Sequence, residues 1–174
     1  MKKITTLFAF AGIAAMTLFA TPAVKADVAT GNATSTILSG LTMAPVAGSF
    51  LNFGKIVQSA TAGYVMIDAT GVRYSNIAIV PNSSHSEGLF NVAGSPAVNF
   101  YIQLPTSATL TRSGGTETMT VNSFVAAING RQDGIGTLDL TGAAVVHVGG
   151  TLQVGANQAV GEYDGTYAVT YAYN

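Results

Sequence analysis

The chain has 174 residues, of which 48% are apolar and 9% are charged, and it contains no cysteine. The apolar fraction excludes an intrinsically disordered chain, and the missing cysteines exclude disulfides and thiolate metal sites. The 148 residues that follow residue 26 carry 4 basic and 8 acidic side chains, which excludes a basic nucleic-acid-binding domain.

Residues 1–26 have the pattern of a secretory signal peptide. Lys2 and Lys3 precede an apolar run over residues 4–20, and the segment ends at the small residue Ala26. The pattern predicts cleavage and secretion, through the periplasm to the cell surface or the medium. An uncleaved membrane anchor is the alternative, because 17 apolar residues lie at the lower limit of a membrane span. The later sequence has no comparable run, so we expect no stable membrane insertion of the mature chain.

Residues 27–40 are predicted to form an N-terminal extension that precedes the folded domain. Their composition is uncharged after Asp27, and small or apolar residues alternate along the segment. In an extended chain, alternate side chains share one face. The residues of that face are too small to build a core, so the segment is predicted to be a strand that inserts into another sheet. These candidate donor residues are Ala29, Gly31, Ala33, Ser35 and Ile37.

Residues 41–174 are predicted to form a single all-β domain, a sandwich or small barrel. Short runs of β-branched and aromatic residues alternate with polar ones, and Gly, Pro and Asn separate them. Two glycine-containing sequences, at residues 113–115 and 149–150, are typical of hairpin turns. The predicted strands before residue 160 cover residues 63–68, 76–80, 98–104, 106–112, 116–124, 136–140, 144–148 and 151–154.

The C-terminal residues GEYDGTYAVTYAYN predict one further strand that runs to the end of the chain. Its odd-numbered positions are mostly aromatic or apolar, and its even-numbered positions are mostly small or polar. The strand contains no proline and little charge, so nothing blocks pairing along its edge. We therefore predict an acceptor edge formed by Tyr163, Tyr167, Val169, Tyr171 and Tyr173.

The sequence gives little sign of chemistry. His85 and His147 are the only histidines, and neither has an acidic or histidine neighbour at ligand spacing. We therefore expect no enzymatic activity, no metal and no cofactor. A hydrolase using serine, histidine and aspartate remains an alternative class, as does an outer-membrane barrel. Another alternative is a monomeric adhesin-type module that binds through a loop at residues 82–88.

Two stretches resemble secreted pilin-like domains of the spore coat protein U type, the archaic branch of chaperone-usher pilus subunits. Residues 50–57, FLNFGKIV, are similar to the LNFG signature at the end of their first strand, and the C-terminal GEYDGTYAVTYAYN is similar to their closing strand. The sequences YIQLPTSATLT, MTVNSF and VGGTLQVGANQAVGEYDGTY resemble more closely a cysteine-free sister family of bacterial secreted domains of unknown function.

The resemblance implies an incomplete immunoglobulin-like sandwich whose missing strand comes from another subunit, by donor-strand complementation. It implies a homo-oligomer or filament, a role as a structural subunit of a fimbria in cell adhesion, and a periplasmic chaperone and outer-membrane usher as partners. Pilins of the spore coat protein U type carry a disulfide that this chain lacks, so dependence on a chaperone and usher stays open. Donation within one chain or between chains also stays open.

Overall fold

The computed structural model describes residues 29–174, and the predicted signal peptide lies outside the described residues. The described chain is all-β. In chain order its strands are β1 (Thr42–Pro45), β2 (Gly63–Ile67), β3 (Arg73–Ser75), β4 (Gly88–Ala93), β5 (Asn99–Gln103), β6 (Ser107–Arg112), β7 (Thr118–Ile128), β8 (Ile135–Thr137), β9 (Ala143–Val154), β10 (Tyr163–Asp164) and β11 (Thr170–Tyr173).

All strand pairs are antiparallel, and they form two sheets. The larger sheet has the order β1-β4-β9-β7-β6-β10 and curls into a half-barrel, with the β2–β3 hairpin also attached to β9. The long strand β9 pairs with β4 along its first half and with β2 along its second half. The smaller sheet has the order β11-β5-β8. The prediction of an all-β domain is therefore confirmed.

Two clusters of buried side chains form the core. The first cluster joins the smaller sheet to the larger one, and its members are Val92, Phe100, Ile102, Ala126, Ile128, Leu138, Val146 and Val148. The second cluster lies under β2, β7 and the end of β9, and its members are Phe53, Val65, Ile67, Val121, Leu152 and Val154. β9 contributes to both clusters, because side chains alternate between the faces of a strand and the even-numbered positions from Val146 to Val154 are buried.

The hairpin predicted at residues 113–115 is confirmed. β6 and β7 pair antiparallel on either side of it, and the Gly115 amide donates to the Arg112 carbonyl oxygen at 3.0 Å. Gly114 has a φ of 73°, a conformation that glycine adopts without the steric cost of a Cβ.

The turn predicted at Gly149-Gly150 is wrong, because β9 passes straight through both glycines. A Cβ on Gly149 would lie against the main chain of Ile67 and Asp68, 2.6 Å from the Asp68 carbonyl carbon. The glycine therefore permits a close approach of two backbones rather than a change of direction.

The C-terminal strand predicted as one piece is divided in two. β10 pairs with β6 in the larger sheet, and β11 pairs with β5 in the smaller sheet. The two partner strands, β5 and β6, are consecutive in the chain and are separated by residues 104–106. Pro105 lies in this connection and has no amide hydrogen to donate to a neighbouring strand. The same C-terminal segment thus runs along β6 and then along β5. Residues 76–80, predicted as a strand, form only a single bridge between Ile79 and Ile56.

Residues 36–174 form one compact unit. Residues 29–35 belong to a separate unit, and they are exposed and contain no helix or strand. Among residues 29–174, no helix is long and apolar enough to cross a membrane.

Candidate assembly site

Within residues 29–174, β11 has a partner strand on only one of its two edges. The Asn174 amide donates to the Asn99 carbonyl oxygen at 3.1 Å. Together with the register of β11 on β5, this bond shows which residues of β11 direct their main-chain groups towards β5. In an antiparallel pair, successive residues point their main-chain groups to opposite sides. The N–H and C=O groups of Tyr171 and Tyr173 therefore point away from β5.

β1 has a similar free edge at the border of the larger sheet. The Val46 amide donates to the Leu89 carbonyl oxygen at 2.9 Å, so the alternation turns the main-chain groups of Met43 away from β4. Pro45 faces the same side and offers a carbonyl oxygen but no amide hydrogen. This edge can therefore accept a partner strand along most of its length.

The two free edges border the same core. β1 and β11 do not pair with each other, yet side chains from both of them, or from the residues next to them, pack on the first core cluster. We use the name edge cleft for these two edges and the half-buried side chains beside them. Its half-buried side chains are Leu41, Met43, Val169, Tyr171 and Tyr173.

A hydrogen-bonded bridge spans one end of the edge cleft. The Tyr173 hydroxyl accepts a hydrogen bond from the Ser95 amide at 2.7 Å and donates to the Ser39 carbonyl oxygen at 2.8 Å. The Ser39 amide in turn donates to the Ser95 hydroxyl at 2.8 Å. Ser39, three residues before β1, and Tyr173, the last residue of β11, are thus connected through a side chain rather than through a strand ladder.

Aromatic packing surrounds Tyr167, the residue that approaches β11 from the other sheet. The Tyr167 ring lies edge-on to Phe90, with the ring centres 6.0 Å apart, and its centre is 5.2 Å from that of Phe124. Burial raises the pKa of Tyr167 to about 12. The ring therefore fixes the C-terminal segment where it passes between the sheets.

Four of the five predicted acceptor residues are brought together, and the fifth is not. Tyr167, Val169, Tyr171 and Tyr173 all pack on the first core cluster. Tyr163 pairs with Arg112 in the other sheet, and its hydroxyl donates to the Ala159 carbonyl oxygen at 2.7 Å. Tyr163 therefore lies apart from the other four residues predicted for the acceptor edge.

The predicted donor residues lie in a segment without regular structure. Residues 29–40 are exposed and form no helix or strand, and the Ile37 side chain is 94% exposed. The sequence did not predict β1, although the apolar alternation of Leu41 and Met43 was a signal for it. Pro45 obscured that signal, because proline is rare in paired strands.

Each of the two histidines lies near one polar group of the chain. The His147 Nδ1 atom lies 3.4 Å from the Glu87 Oε1 atom, and the histidine side chain is 39% exposed. The Nδ1 atom of His85 lies 3.0 Å from the Ser83 carbonyl oxygen. Within residues 29–174, no group of three or more histidine and acidic side chains is placed to hold a metal ion.

Comparison with known proteins gives one result. A family model described as a domain of unknown function, DUF4402, matches residues 41–173, which include both sheets and the edge cleft. No curated protein matches the chain.

Proposed function

We propose that this chain, which belongs to the DUF4402 family, is a secreted structural subunit of a surface filament, without enzymatic activity of its own. In this proposal the domain is an incomplete immunoglobulin-like sandwich, and a strand from the next copy fills the edge cleft. The observation that carries the proposal is the pair of free edges, β1 and β11, on either side of one core cluster.

Free strand edges are strong determinants of association. Unpaired N–H and C=O groups form a template for another strand, and monomeric proteins usually protect such edges with charge, proline or a covering segment. At the edge cleft, β11 carries neither proline nor a charged side chain. Strand addition supplies main-chain hydrogen bonds for affinity and side-chain pockets for register.

Residues 28–38 have the properties of a donor strand. The segment has no charge and no proline, and its alternate residues from Ala29 to Ile37 are small except for the last. Small side chains suit a cleft whose walls are already filled by tyrosines. A donor of this length would gain roughly 5 to 10 kcal/mol from hydrogen bonds and burial before ordering costs.

In this proposal the donor strand enters a second copy rather than its own domain. Both main-chain groups of Ser39 are already bonded, the amide to the Ser95 hydroxyl and the carbonyl oxygen to the Tyr173 hydroxyl. A donor strand that ends before Ser39 leaves these bonds intact. A head-to-tail contact of this kind does not close on itself, so it produces filaments.

The signal peptide predicted at residues 1–26 supplies the route in this proposal. The subunit would cross to the periplasm, with a chaperone and an outer-membrane usher as its assembly partners, and then be displayed on the cell surface.

Deletion of residues 28–37 tests the proposal. We expect the secreted wild-type protein to form filaments in electron micrographs and the deletion variant to remain a folded monomer. Filaments formed by the deletion variant would overturn the proposal. A wild-type protein that stays monomeric at every concentration would also overturn it and would favour the alternative, a monomeric adhesin-type module.

A peptide experiment separates donor binding from other effects of the deletion. A synthetic peptide of residues 28–38 should raise the melting temperature of the deletion variant, because a ligand that binds only the folded state stabilises it. The peptide with Ala33→Asp and Ile37→Asp should fail. A matched peptide with Asn32→Asp and Thr36→Asp places the same charges on the opposite face and should retain most of the effect.

A further inference from the structure

The outer face of the larger sheet carries a second feature that the filament proposal does not use. Tyr64 on β2, Gln153 on β9 and Thr120 on β7 are direct cross-strand neighbours. Thr120 and Gln153 each lie between residues that pack in or against the second core cluster, and Tyr64 precedes Val65, which belongs to that cluster. Alternation therefore places all three on the opposite, exposed face. They form a row across three strands.

A surface cavity of about 580 Å³ lies at this row. The side chains of Asn76 and Gln158 border it beside the row, and no charged residue lines it. The volume falls within the range of pockets that hold small ligands. The cavity is therefore large enough for a few sugar units and offers no charge to an ionic ligand.

Hydrogen bonds hold the polar groups of the cavity in place. The Tyr64 amide donates to Asn76 Oδ1 at 2.7 Å, and Gln153 Nε2 donates to Asn122 Oδ1 at 3.2 Å. Gln158 Nε2 donates to the Thr118 carbonyl oxygen at 3.2 Å. Within the described residues, these bonds leave Asn76 Nδ2, Gln153 Oε1 and the Thr120 hydroxyl without a protein partner. Donors and acceptors are therefore presented to solvent in a fixed arrangement.

One tyrosine adds an aromatic surface to the cavity. Tyr64 lines the cavity and is 39% exposed. Tyr74, diagonal to it across the β2–β3 pair, is 49% exposed but does not line the cavity. An exposed tyrosine presents an apolar ring face together with a polar hydroxyl. The C–H face of a sugar ring matches such a ring, and sugar hydroxyls match fixed amide and hydroxyl groups.

We infer that this cavity is a binding site for neutral oligosaccharides. The uncharged lining argues against nucleic acids and acidic glycans, which need cationic side chains to neutralise their charge. A protein partner is also disfavoured, because the centre of a protein interface is usually apolar and this lining is rich in amides and hydroxyls. None of the residues that line the cavity belongs to the edge cleft, so this site does not depend on it.

The test uses the full secreted chain and a panel of neutral probes, namely oligomers of glucose, xylose, mannose and galactose. Binding is measured by isothermal titration calorimetry, which can be used on a filament as well as on a monomer. We expect at least one neutral probe to bind, while oligogalacturonate, an acidic probe, does not. Absence of binding across the neutral panel at millimolar concentration overturns the inference, as does tighter binding of the acidic probe.

Variants localise the site. Tyr64→Ala should weaken binding by about tenfold, which corresponds to about 1.4 kcal/mol. Tyr101→Ala is the matched control, because Tyr101 on β5 of the smaller sheet has a similar exposure of 42% and lies outside the cavity. Equal losses in both variants, or none in Tyr64→Ala, would overturn the inference. The deletion of residues 28–37 should not change sugar binding, so failure of the filament proposal and failure of this one are distinguishable.

Discussion

The Tyr173 hydroxyl donates a 2.8 Å hydrogen bond to the carbonyl oxygen of Ser39, between the end of β11 and the segment that leads into β1. The same hydroxyl accepts a hydrogen bond from the Ser95 amide, which follows β4. One side chain of the smaller sheet is thus bonded to the end of the β1–β4 pair in the larger sheet.

Removal of this hydroxyl should weaken the domain. Tyr173→Phe keeps the ring on the core cluster but breaks two hydrogen bonds, so we expect the free energy of unfolding to fall by about 1 to 2 kcal/mol. Urea denaturation followed by fluorescence measures the change. Tyr171→Phe is the matched control, because its hydroxyl makes no hydrogen bond within residues 29–174, and it should change stability by less than about 0.5 kcal/mol. Equal effects of the two variants would contradict the role of the bridge.

Two turns of the same design make the fold sensitive to acid. Asp68 Oδ1 accepts hydrogen bonds from the Thr70 amide, the Thr70 hydroxyl and the Val72 amide at 2.7 to 2.9 Å. Asp139 repeats the arrangement with Thr141 and Ala143 at 2.6 to 2.9 Å. Burial acts to raise the pKa of Asp68, but the bonds from Thr70 and Val72 outweigh it and lower the pKa. The Thr141 hydroxyl is the main cause of the lowered pKa of Asp139.

A lowered folded-state pKa means that each carboxylate contributes stability above its unfolded pKa, about 3.9. That contribution is lost as the pH falls through the folded-state value. We expect Asp139→Asn to be less stable than wild type at pH 7 and to approach it near pH 2. In Thr141→Val, which removes only the hydroxyl donor, the loss of stability relative to wild type should depend on pH less strongly than in Asp139→Asn. Chemical denaturation at several pH values measures this. A difference that stays constant with pH would contradict the prediction.

The local pattern of the sequence predicted the class of fold and several of its strands, because burial on one face of a strand leaves a period of two. The hairpin at Gly114 was also predictable, since its turn depends on neighbouring residues alone. The sequence Asp-x-Thr-Gly occurs at Asp68 and again at Asp139. A four-residue pattern of common loop residues is too short to predict the shared turn.

The remaining features depend on contacts between distant segments. Gly149 reads as a turn residue, yet its small size serves a backbone that approaches from β2. The division of the C-terminal strand is set by its partner, where Pro105 separates β5 from β6. For the candidate site, alternation predicted Tyr167, Val169, Tyr171 and Tyr173 as one face, but only the sheet order brings β1 beside them. Tyr64 and Gln153 are 89 residues apart, so no local pattern predicted their row.

The close approach at Gly149 can be tested by adding one methyl group. In Gly149→Ala the Cβ would meet main-chain atoms of Ile67 and Asp68, which cannot move aside as a flexible side chain can. We expect a loss of about 1 to 3 kcal/mol in the free energy of unfolding. In Gly40→Ala the new Cβ has no atom within 4 Å, and stability should be nearly unchanged. If Gly149→Ala is equally neutral, the two backbones do not approach as closely as described.

Ile37 should matter for assembly and not for the stability of a single subunit. Its side chain is 94% exposed in the subunit, so Ile37→Asp should change the free energy of unfolding by less than about 0.5 kcal/mol. In a filament built by strand donation, the same side chain would be buried in the edge cleft of the next copy, where a wild-type isoleucine contributes about 1.5 to 3 kcal/mol. An aspartate there would also be desolvated without a partner charge. We therefore expect Ile37→Asp to reduce filament formation strongly, as measured by sedimentation and electron microscopy. Val160→Asp, which places the same charge at an apolar residue that is 71% exposed in the loop before β10, should still assemble. Equal assembly of the two variants would show that Ile37 stays exposed between subunits.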